Sequence, residues 1–273
     1  MSYRGAVKSV DYTDIRYEST DRIATITINR PDRMNAFRGR TVDELIHAFK
    51  VAWSSRDVAA VILTGTGERA FCAGGDVKER AAGNGSGPYG ETEWGTFEIE
   101  RLHRMIRDIP KPVIAAVNGV AVGGGHVLQV LCDLSVAAEH ARFGQTGPKV
   151  GSFDAGFGSA YLARVVGEKR ARQLWFLLEL IDASTALQWG LVNKVVPADH
   201  LMEETLIWAR QIATYSPTAL RFLKHSFNAD TDHLSGLSHL AFDGLELFSH
   251  TDEAIEGARA FAEKRPPNFD AYR

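Results

Sequence analysis

A chain of 273 residues, 45% of them hydrophobic, is long enough to bury one large core or two modest ones. Its formal charge of −3, with Lys and Arg spread along the chain, supplies no field to attract nucleic acid or an anionic membrane surface, so an anionic ligand must meet local cations. Cys72 and Cys132 are the two cysteines; they exclude a disulfide framework and fit a reducing compartment, which makes the cytoplasm the expected location.

Met1 to Asp14 mixes Arg4, Lys8 and Asp11 with polar residues and lacks the apolar run of a secretory signal. Ile23 to Ile28 alternates apolar residues with threonine, which predicts a half-buried strand ending at Arg30, before Pro31. Thr41-Val42-Asp43-Glu44 has capping-box spacing, and Val42, Leu45, Ile46, Phe49 and Trp53 follow at helical intervals. Val61 to Thr64 reads as a buried strand leading to the turn Phe71-Cys72-Ala73-Gly74-Gly75-Asp76. Ala81 to Thr96 holds Gly83, Gly85, Gly87, Pro88 and Gly90, the composition of a surface loop able to cover a ligand.

Val113 to Val117 is a second buried strand, followed by Ala121-Val122-Gly123-Gly124-Gly125-His126 and a helix-compatible stretch. Val113 to Cys132 approaches the length of a bilayer span, but Asn118, His126, Gln129 and the triple glycine favour strand, turn and helix, so no membrane is expected as a partner. The second half reads as helices over Glu168 to Glu179, Ser184 to Gly190, Leu201 to Tyr215, Pro217 to Phe227 and Thr251 to Lys264, with Pro197 and Pro217 at the joins. Trp94, Trp175 and Trp189 read as core or interface aromatics, and Cys72 as a small packing residue without an activating base.

Two glycine turns can aim backbone N–H groups at one oxygen, because glycine admits close approach and a helix starting at the second turn adds its positive end. Either turn alone would be weak evidence. Together, from about Ile23 to Arg265, the chain resembles the crotonase (enoyl-CoA hydratase and isomerase) superfamily. The resemblance implies an α/β fold, a spiral of β-β-α units over residues 1–200 with the acyl-CoA site, then a helical region over 201–273 that builds a homotrimer or a hexamer of two trimers. It makes Gly75 and Gly124 the two oxyanion amides. Pro31-Asp32-Arg33-Met34-Asn35-Ala36-Phe37 is similar to the segment that runs along coenzyme A, which assigns Arg33, Asn35 and Ala36 to the coenzyme, together with Ala73 and Asp76 of the first turn. A guanidinium such as Arg33 suits phosphate because its planar fork donates twice; as a sequence reading alone, without the resemblance, Arg33 reads rather as a solvated turn residue. Asp76 and Lys78 fit a surface pair as well. Phe261-Ala262-Glu263-Lys264-Arg265 resembles the stretch that reaches a neighbouring subunit's coenzyme, with Lys264 as a second cation.

Hydratases of this superfamily use two glutamates. Here those positions fall on Val127 and Gly147, neither able to move a proton, so simple hydration is disfavoured by the loss of an acid and a base worth on the order of 10²- to 10⁴-fold each. A carboxylate stands instead at Asp154, and Gly144 to Asp154 is similar to the segment of 1,4-dihydroxy-2-naphthoyl-CoA synthases and of 2-ketocyclohexanecarboxyl-CoA hydrolases. That resemblance implies ring carbon-carbon bond formation or cleavage through a thioester enolate, with Asp154 shuttling the proton. The plain alternative for Asp154 is a turn residue bonded to its own backbone. The resemblance implies no tightly bound cofactor beyond the coenzyme A thioester substrate, and, through the synthases that carry glycine at the position of Gly147, bicarbonate as a candidate base there. The synthases carry a tyrosine where this chain has Ser249, too short to reach the same atom; His250 either compensates or is a polar helix-end residue. Tyr89 of the loop is the other phenol, more readily read as facing solvent.

Overall fold

The computed structural model describes residues 11–82, 89–90, 92–93 and 96–273. The chain opens with β1 (Ile15–Thr20) antiparallel to β2 (Ile23–Ile28), then α1 (Gly39–Ser54), β3 (Ala60–Gly65), β4 (Ala70–Cys72), α2 (Val77–Ala82) and α3 (Ile99–Asp108). β5 (Val113–Val117), β6 (Val120–Val122), α4 (Gly124–Leu131), β7 (Leu134–Ala138) and β8 (Arg142–Gly144) follow, and a π-helical turn over Phe157–Tyr161 leads into α5 (Leu162–Val166). α6 (Glu168–Leu177), β9 (Ile181–Asp182), α7 (Ala183–Gln188) and β10 (Lys194–Val196) complete the sheets before α8 (Leu201–Ile212), α9 (Pro217–Ala229), α10 (His233–Ser249) and α11 (Asp252–Ala262).

The strands form a six-stranded sheet in the order β1-β2-β3-β5-β7-β10 and a four-stranded sheet in the order β4-β6-β8-β9. From β2 to β10 the large sheet is parallel. A parallel strand covered on both faces reads as a continuous apolar run, and β3 shows why: Val61 and Leu63 join the core under α1 and α3, while Ile62 turns to the other face with Ile114, Val136, Leu201 and Ala209. α8 closes that second face through Leu201 and Ala209, so the helix that opens the predicted 201–273 region is itself part of the sheet's cover. α9 is fastened by the buried Lys224, whose ammonium donates to Asp133 at 2.6 Å and to the Ile106 and Lys111 carbonyls at 3.1 Å. Beyond that anchor the last helices turn apolar side chains outward: Phe222, Phe227, Leu240 and Leu247 are 69%, 78%, 70% and 75% exposed.

Local differences from the sequence reading have physical reasons. The first predicted strand ends at Ile28, because Asn29 and Arg30 leave the ladder for the turn at Pro31–Arg33. The sequence pattern does not mark β1, because Arg16, Glu18 and Ser19 interrupt its apolar residues at an edge. Helix α1 begins at Gly39 with Thr41 already inside it; Thr41 Oγ1 accepts from the Arg38 N–H at 3.2 Å and donates to Asp14 at 2.6 Å. Helix α2 occupies Ala81 and Ala82, the start of the predicted loop. Residues 83–88, 91, 94 and 95 of that loop, Trp94 among them, lie outside the described residues, as do 1–10 of the N-terminal segment. α10 was hidden by Gly236 and Gly244, which lower helix propensity.

Candidate active site

The small sheet brings the two glycine turns together. β4 and β6 are parallel neighbours, so the turns that follow them leave from the same end. On its other edge the first turn pairs with Phe37: Phe37 N–H donates to Gly74 O and Asp76 N–H donates to Phe37 O, both at 2.8 Å. Backbone polar groups alternate in direction along an extended segment, so the intervening Gly75 N–H faces the side of β6 and α4. There the turns abut: a Cβ placed on Gly74 would sit 3.0 Å from the Gly124 nitrogen. Gly74 (φ +83°) and Gly123 (φ +54°) hold left-handed backbone that side chains resist. Gly124 is the first residue of α4, where helix N–H groups have no carbonyl a turn earlier and the dipole is positive. Among the described residues neither the Gly75 nor the Gly124 N–H donates to a protein acceptor.

An aromatic cover lies over both glycines. A Cβ on Gly124 would meet Phe37 Cζ at 2.6 Å, and one on Gly75 would meet Tyr89 Cε1 at 2.6 Å and its hydroxyl oxygen at 2.9 Å. Phe97 joins them, with its ring centroid 4.4 Å from Tyr89 and 6.0 Å from Phe37. Tyr89 is therefore turned inward, held also by its carbonyl, which accepts from Gly39 N–H at 2.8 Å. Its inward turn differs from the solvent-facing expectation, because a glycine-rich loop gives no period from which to orient one phenol.

The loop after β8 starts beside the second turn. Gly123 N–H donates to Gly144 O at 3.1 Å, and a Cβ on Gly123 would lie 3.3 Å from Thr146 Oγ1. The chain then makes a tight turn over Gly147–Val150, closed by Ser152 N–H to Gly147 O at 2.9 Å, and reaches Asp154. Asp154 is half-buried, and its Oδ1 accepts from the Gly158 N–H at 3.2 Å. Burial pushes its carboxyl up to about 7, countered only by that one hydrogen bond. The carboxylate thus makes a local backbone contact, as the turn reading expected, and also has the proton affinity of a base suited to neutral pH.

The other predicted positions divide sharply. Val127 is fully buried in the apolar core. At Gly147 the side-chain direction is filled, with Ser152 O at 2.7 Å and Trp175 Cζ3 at 3.2 Å from a Cβ placed there, so no space replaces a glutamate and the expected bicarbonate has no room along that direction. Asn35 is committed to the fold: its Oδ1 accepts from Arg30 N–H at 3.0 Å and its Nδ2 donates to Thr66 O and Ala70 O at 3.0 and 2.7 Å. Ala36 is buried, and its carbonyl accepts from the Arg30 guanidinium. Asp76 pairs with Arg30 at 3.1 Å, rather than with the exposed Lys78, and its other oxygen accepts from the Lys78 and Glu79 N–H groups at 3.2 and 3.4 Å. These three positions shape the first turn: the side chains of Asn35 and Asp76 and the carbonyl of Ala36 are already bonded within the fold. Ala73 donates its N–H to Met34 O at 3.1 Å. Arg33 and Lys264 are exposed and carry side chains without a protein partner among the described residues. Ser249 ends α10, its hydroxyl donating to Glu246 O at 2.7 Å, while the adjacent Phe248 packs on Phe153 with centroids 5.7 Å apart. His250 is exposed.

Cys72 is buried, and burial pushes its thiol up to about 12, which excludes a thiolate nucleophile at neutral pH. Trp175 is core, its indole N–H donating to Gly158 O at 2.7 Å, and Trp189 lies under the Arg170 guanidinium. Among the described residues no helix is long and apolar enough to cross a membrane, and no group of His, Cys, Asp and Glu could hold a metal ion.

Residues 18–272 match the family model for enoyl-CoA hydratase/isomerase. The chain is similar to the crystal structure of an enoyl-CoA hydratase from Mycobacterium avium subsp. paratuberculosis K-10, with 31% identity over 95% of this chain and 99% of that one and a TM-score of 0.83. A carnitinyl-CoA hydratase from Mycobacterium avium gives 34% identity over 94% and 98% of the two chains, with a TM-score of 0.81. An enoyl-CoA hydratase from Bacillus anthracis gives 33% identity over 94% and 98%, with a TM-score of 0.74. Spiral sheet, paired glycine turns and sequence agree: the chain belongs to the enoyl-CoA hydratase/isomerase family, that is, to the crotonase superfamily of enzymes acting on coenzyme A thioesters.

Proposed function

We propose that this enzyme forms or cleaves a ring carbon-carbon bond next to a coenzyme A thioester, passing through the thioester enolate. The thioester oxygen sits between the Gly75 and Gly124 amides, and Asp154 takes the α-proton and returns it. The observation that carries this reading is the pair of abutting turns with unspent N–H groups on a framework whose two hydratase positions, Val127 and Gly147, are closed to proton transfer. Preorganised amides of this kind lower the barrier to an enolate by several kcal/mol, on the order of 2.7–4 for each donor. Asp154 lies on the loop that leaves β8 beside the second turn, and burial has raised its proton affinity. Its base form is half populated near neutral pH, as general base catalysis favours. Tyr89, lying over Gly75, donates its hydroxyl to the same oxygen or to the ring carbonyl of the acyl group.

Arg33 and Lys264 bind the coenzyme's phosphates, the second from a neighbouring subunit. Both are exposed and unspent, and the outward apolar side chains of α9 and α10 support assembly into a trimer or a pair of trimers. The Ser249 hydroxyl, already donating within its own helix, acts at a neighbouring site only after giving up that bond. The reading needs no anion beside Gly147.

Incubation with succinylbenzoyl-CoA tests the proposal. A cyclised naphthoyl thioester is the expected product, formed as the enolate carbon attacks the aryl carboxyl carbon and that carboxyl loses one oxygen as water. Ring opening of 2-ketocyclohexanecarboxyl-CoA, with no cyclisation, would instead select the hydrolytic direction of the same enolate chemistry, and efficient hydration of crotonyl-CoA would overturn the argument from Val127 and Gly147.

A further inference from the structure

We propose that His126 and Gln145 are a positioning pair that fixes the Gly124 donor against the loop carrying Asp154. Both side chains are fully buried, and the Gln145 amide nitrogen lies 2.9 Å from His126 Nδ1, to which it donates. His126 stands in the first turn of α4, just after the triple glycine; Gln145 stands just past β8, where the loop toward Asp154 begins. The bond therefore crosses from one half of the site to the other. The Gly123 N–H to Gly144 O bond runs beside it.

The first turn of α4 needs such ties. Gly123, Gly124 and Gly125 bring no side chains to hold their own direction, and glycine has the largest backbone freedom to lose. A misdirected amide forfeits oxyanion stabilisation even while the protein stays folded. The pair is neutral, since burial holds the His126 ring down at about 4, and the Phe143 ring packs against it with centroids 6.4 Å apart. Among the described residues His126 Nε2 and Gln145 Oε1 have no further hydrogen-bond partner, so one bond links these two side chains. Moving the ring proton to Nδ1 and turning the amide reverses the donor and keeps that link. Neither residue touches substrate; they act through Gly124.

The inference rests on the reading of Gly75 and Gly124 as oxyanion donors, and one titration separates the two. Acetoacetyl-CoA has a doubly activated α-carbon whose enolate is visible in the ultraviolet. Bound to the wild-type enzyme, it shows an apparent pKa below that of the free thioester. His126→Leu and Gln145→Leu each raise that value by ~1 unit or more, a tenfold loss of enolate stabilisation, and the double variant raises it no further than the larger single. His126→Gln, which still offers an oxygen to Gln145, stays near wild type. Affinity for the keto form at low pH is unchanged throughout, a result that mere loss of structure would not give. Should the leucine variants melt below the assay temperature, Gln145→Asn, one methylene shorter, gives a smaller rise. Folded variants with the wild-type pKa overturn the positioning role alone; absence of any enolate band with the wild type overturns the oxyanion reading beneath it.

Discussion

The two glycine turns present the same backbone group and are held by opposite means. The first is gripped by charge: Asp76 meets Arg30 at 3.1 Å, Arg30 reaches Asp14 at 3.7 Å, and Arg38 clamps Asp14 with bonds of 2.8 and 2.9 Å while reaching Glu79 at 3.6 Å. The second is gripped by a helix start and a neutral hydrogen bond in an apolar interior. The difference follows from surroundings. At the first turn the buried Asp14 and Asp76 and the part-buried Arg30 neutralise one another, and the partly exposed Arg38 and Glu79 connect them to the surface; at the second a lone charge in the apolar core would cost several kcal/mol. Under the proposed reading, one oxygen meets two donors whose supports respond differently to size, pH and truncation.

Adding a methyl group breaks the two turns to very different extents. Gly125→Ala drives a Cβ onto the Cys72 carbonyl, a backbone atom that cannot retreat, and is expected to abolish folded yield, as measured by soluble expression and circular dichroism. Gly75→Ala meets the Tyr89 ring, the end of a side chain that can swing away. That variant folds but loses ~10²-fold or more in kcat/KM, because the cover over the amide is displaced.

Asp154→Asn lowers kcat by ~10³-fold or more if it carries both proton transfers, measured by single-turnover kinetics. The sign of its effect on stability is the reverse. A carboxyl raised to about 7 by burial binds protons more tightly folded than unfolded, so wild-type stability falls as pH rises from about 4 to 7. The asparagine variant escapes that fall: its Tm exceeds wild type by ~2–4 °C per kcal/mol relieved at pH 8, with little difference at pH 4. In the wild type, kcat rises with pH through about 7 as the base form appears.

Asn35→Ala removes the partner of three backbone groups and is expected to cost ~2–4 kcal/mol of stability in denaturant titrations. KM for acyl-CoA in the folded fraction stays near wild type, whereas Arg33→Ala raises KM without moving Tm.

Acid sharpens the contrast at smaller amplitude. His126 is held at about 4, below its ordinary 6.5, by burial, so its contribution is complete above pH 6.5 and is lost as pH falls toward 4. At Asp14, burial pushes the carboxyl up, but hydrogen bonds from Arg38 and Thr41 and both guanidiniums outweigh it and leave the group below its ordinary 3.8. That stabilisation lasts until pH falls beneath 3.8. Hydrogen exchange on acidification is therefore expected to open the first turn of α4 before residues 73–77.

What could be read in advance was what period and glycine spacing encode. The apolar alternation of Ile23–Ile28, the runs of β3 and β5, and the turn opening α4 all appear where those patterns put them. Partnership was harder to read. Asn35 and Asp76 sit in a segment that looks like a ligand cradle, and nothing in their spacing reveals that Arg30, Thr66 and Ala70 consume their polar atoms. Gly147 suggested a vacancy, but the backbone of Ser152 and the ring of Trp175 fill it. Tyr89 and Gln145 acquire neighbours only through long-range packing.

Deuterium uptake from heavy water at the α-carbon of succinylbenzoyl-CoA tests the central claim most directly, since it registers enolate formation whatever bond follows. The account predicts rapid exchange by the wild-type protein, loss of exchange in Asp154→Asn, and no appreciable hydration of crotonyl-CoA by either. Exchange that persists unchanged without the Asp154 carboxylate, or efficient hydration with none, would contradict it.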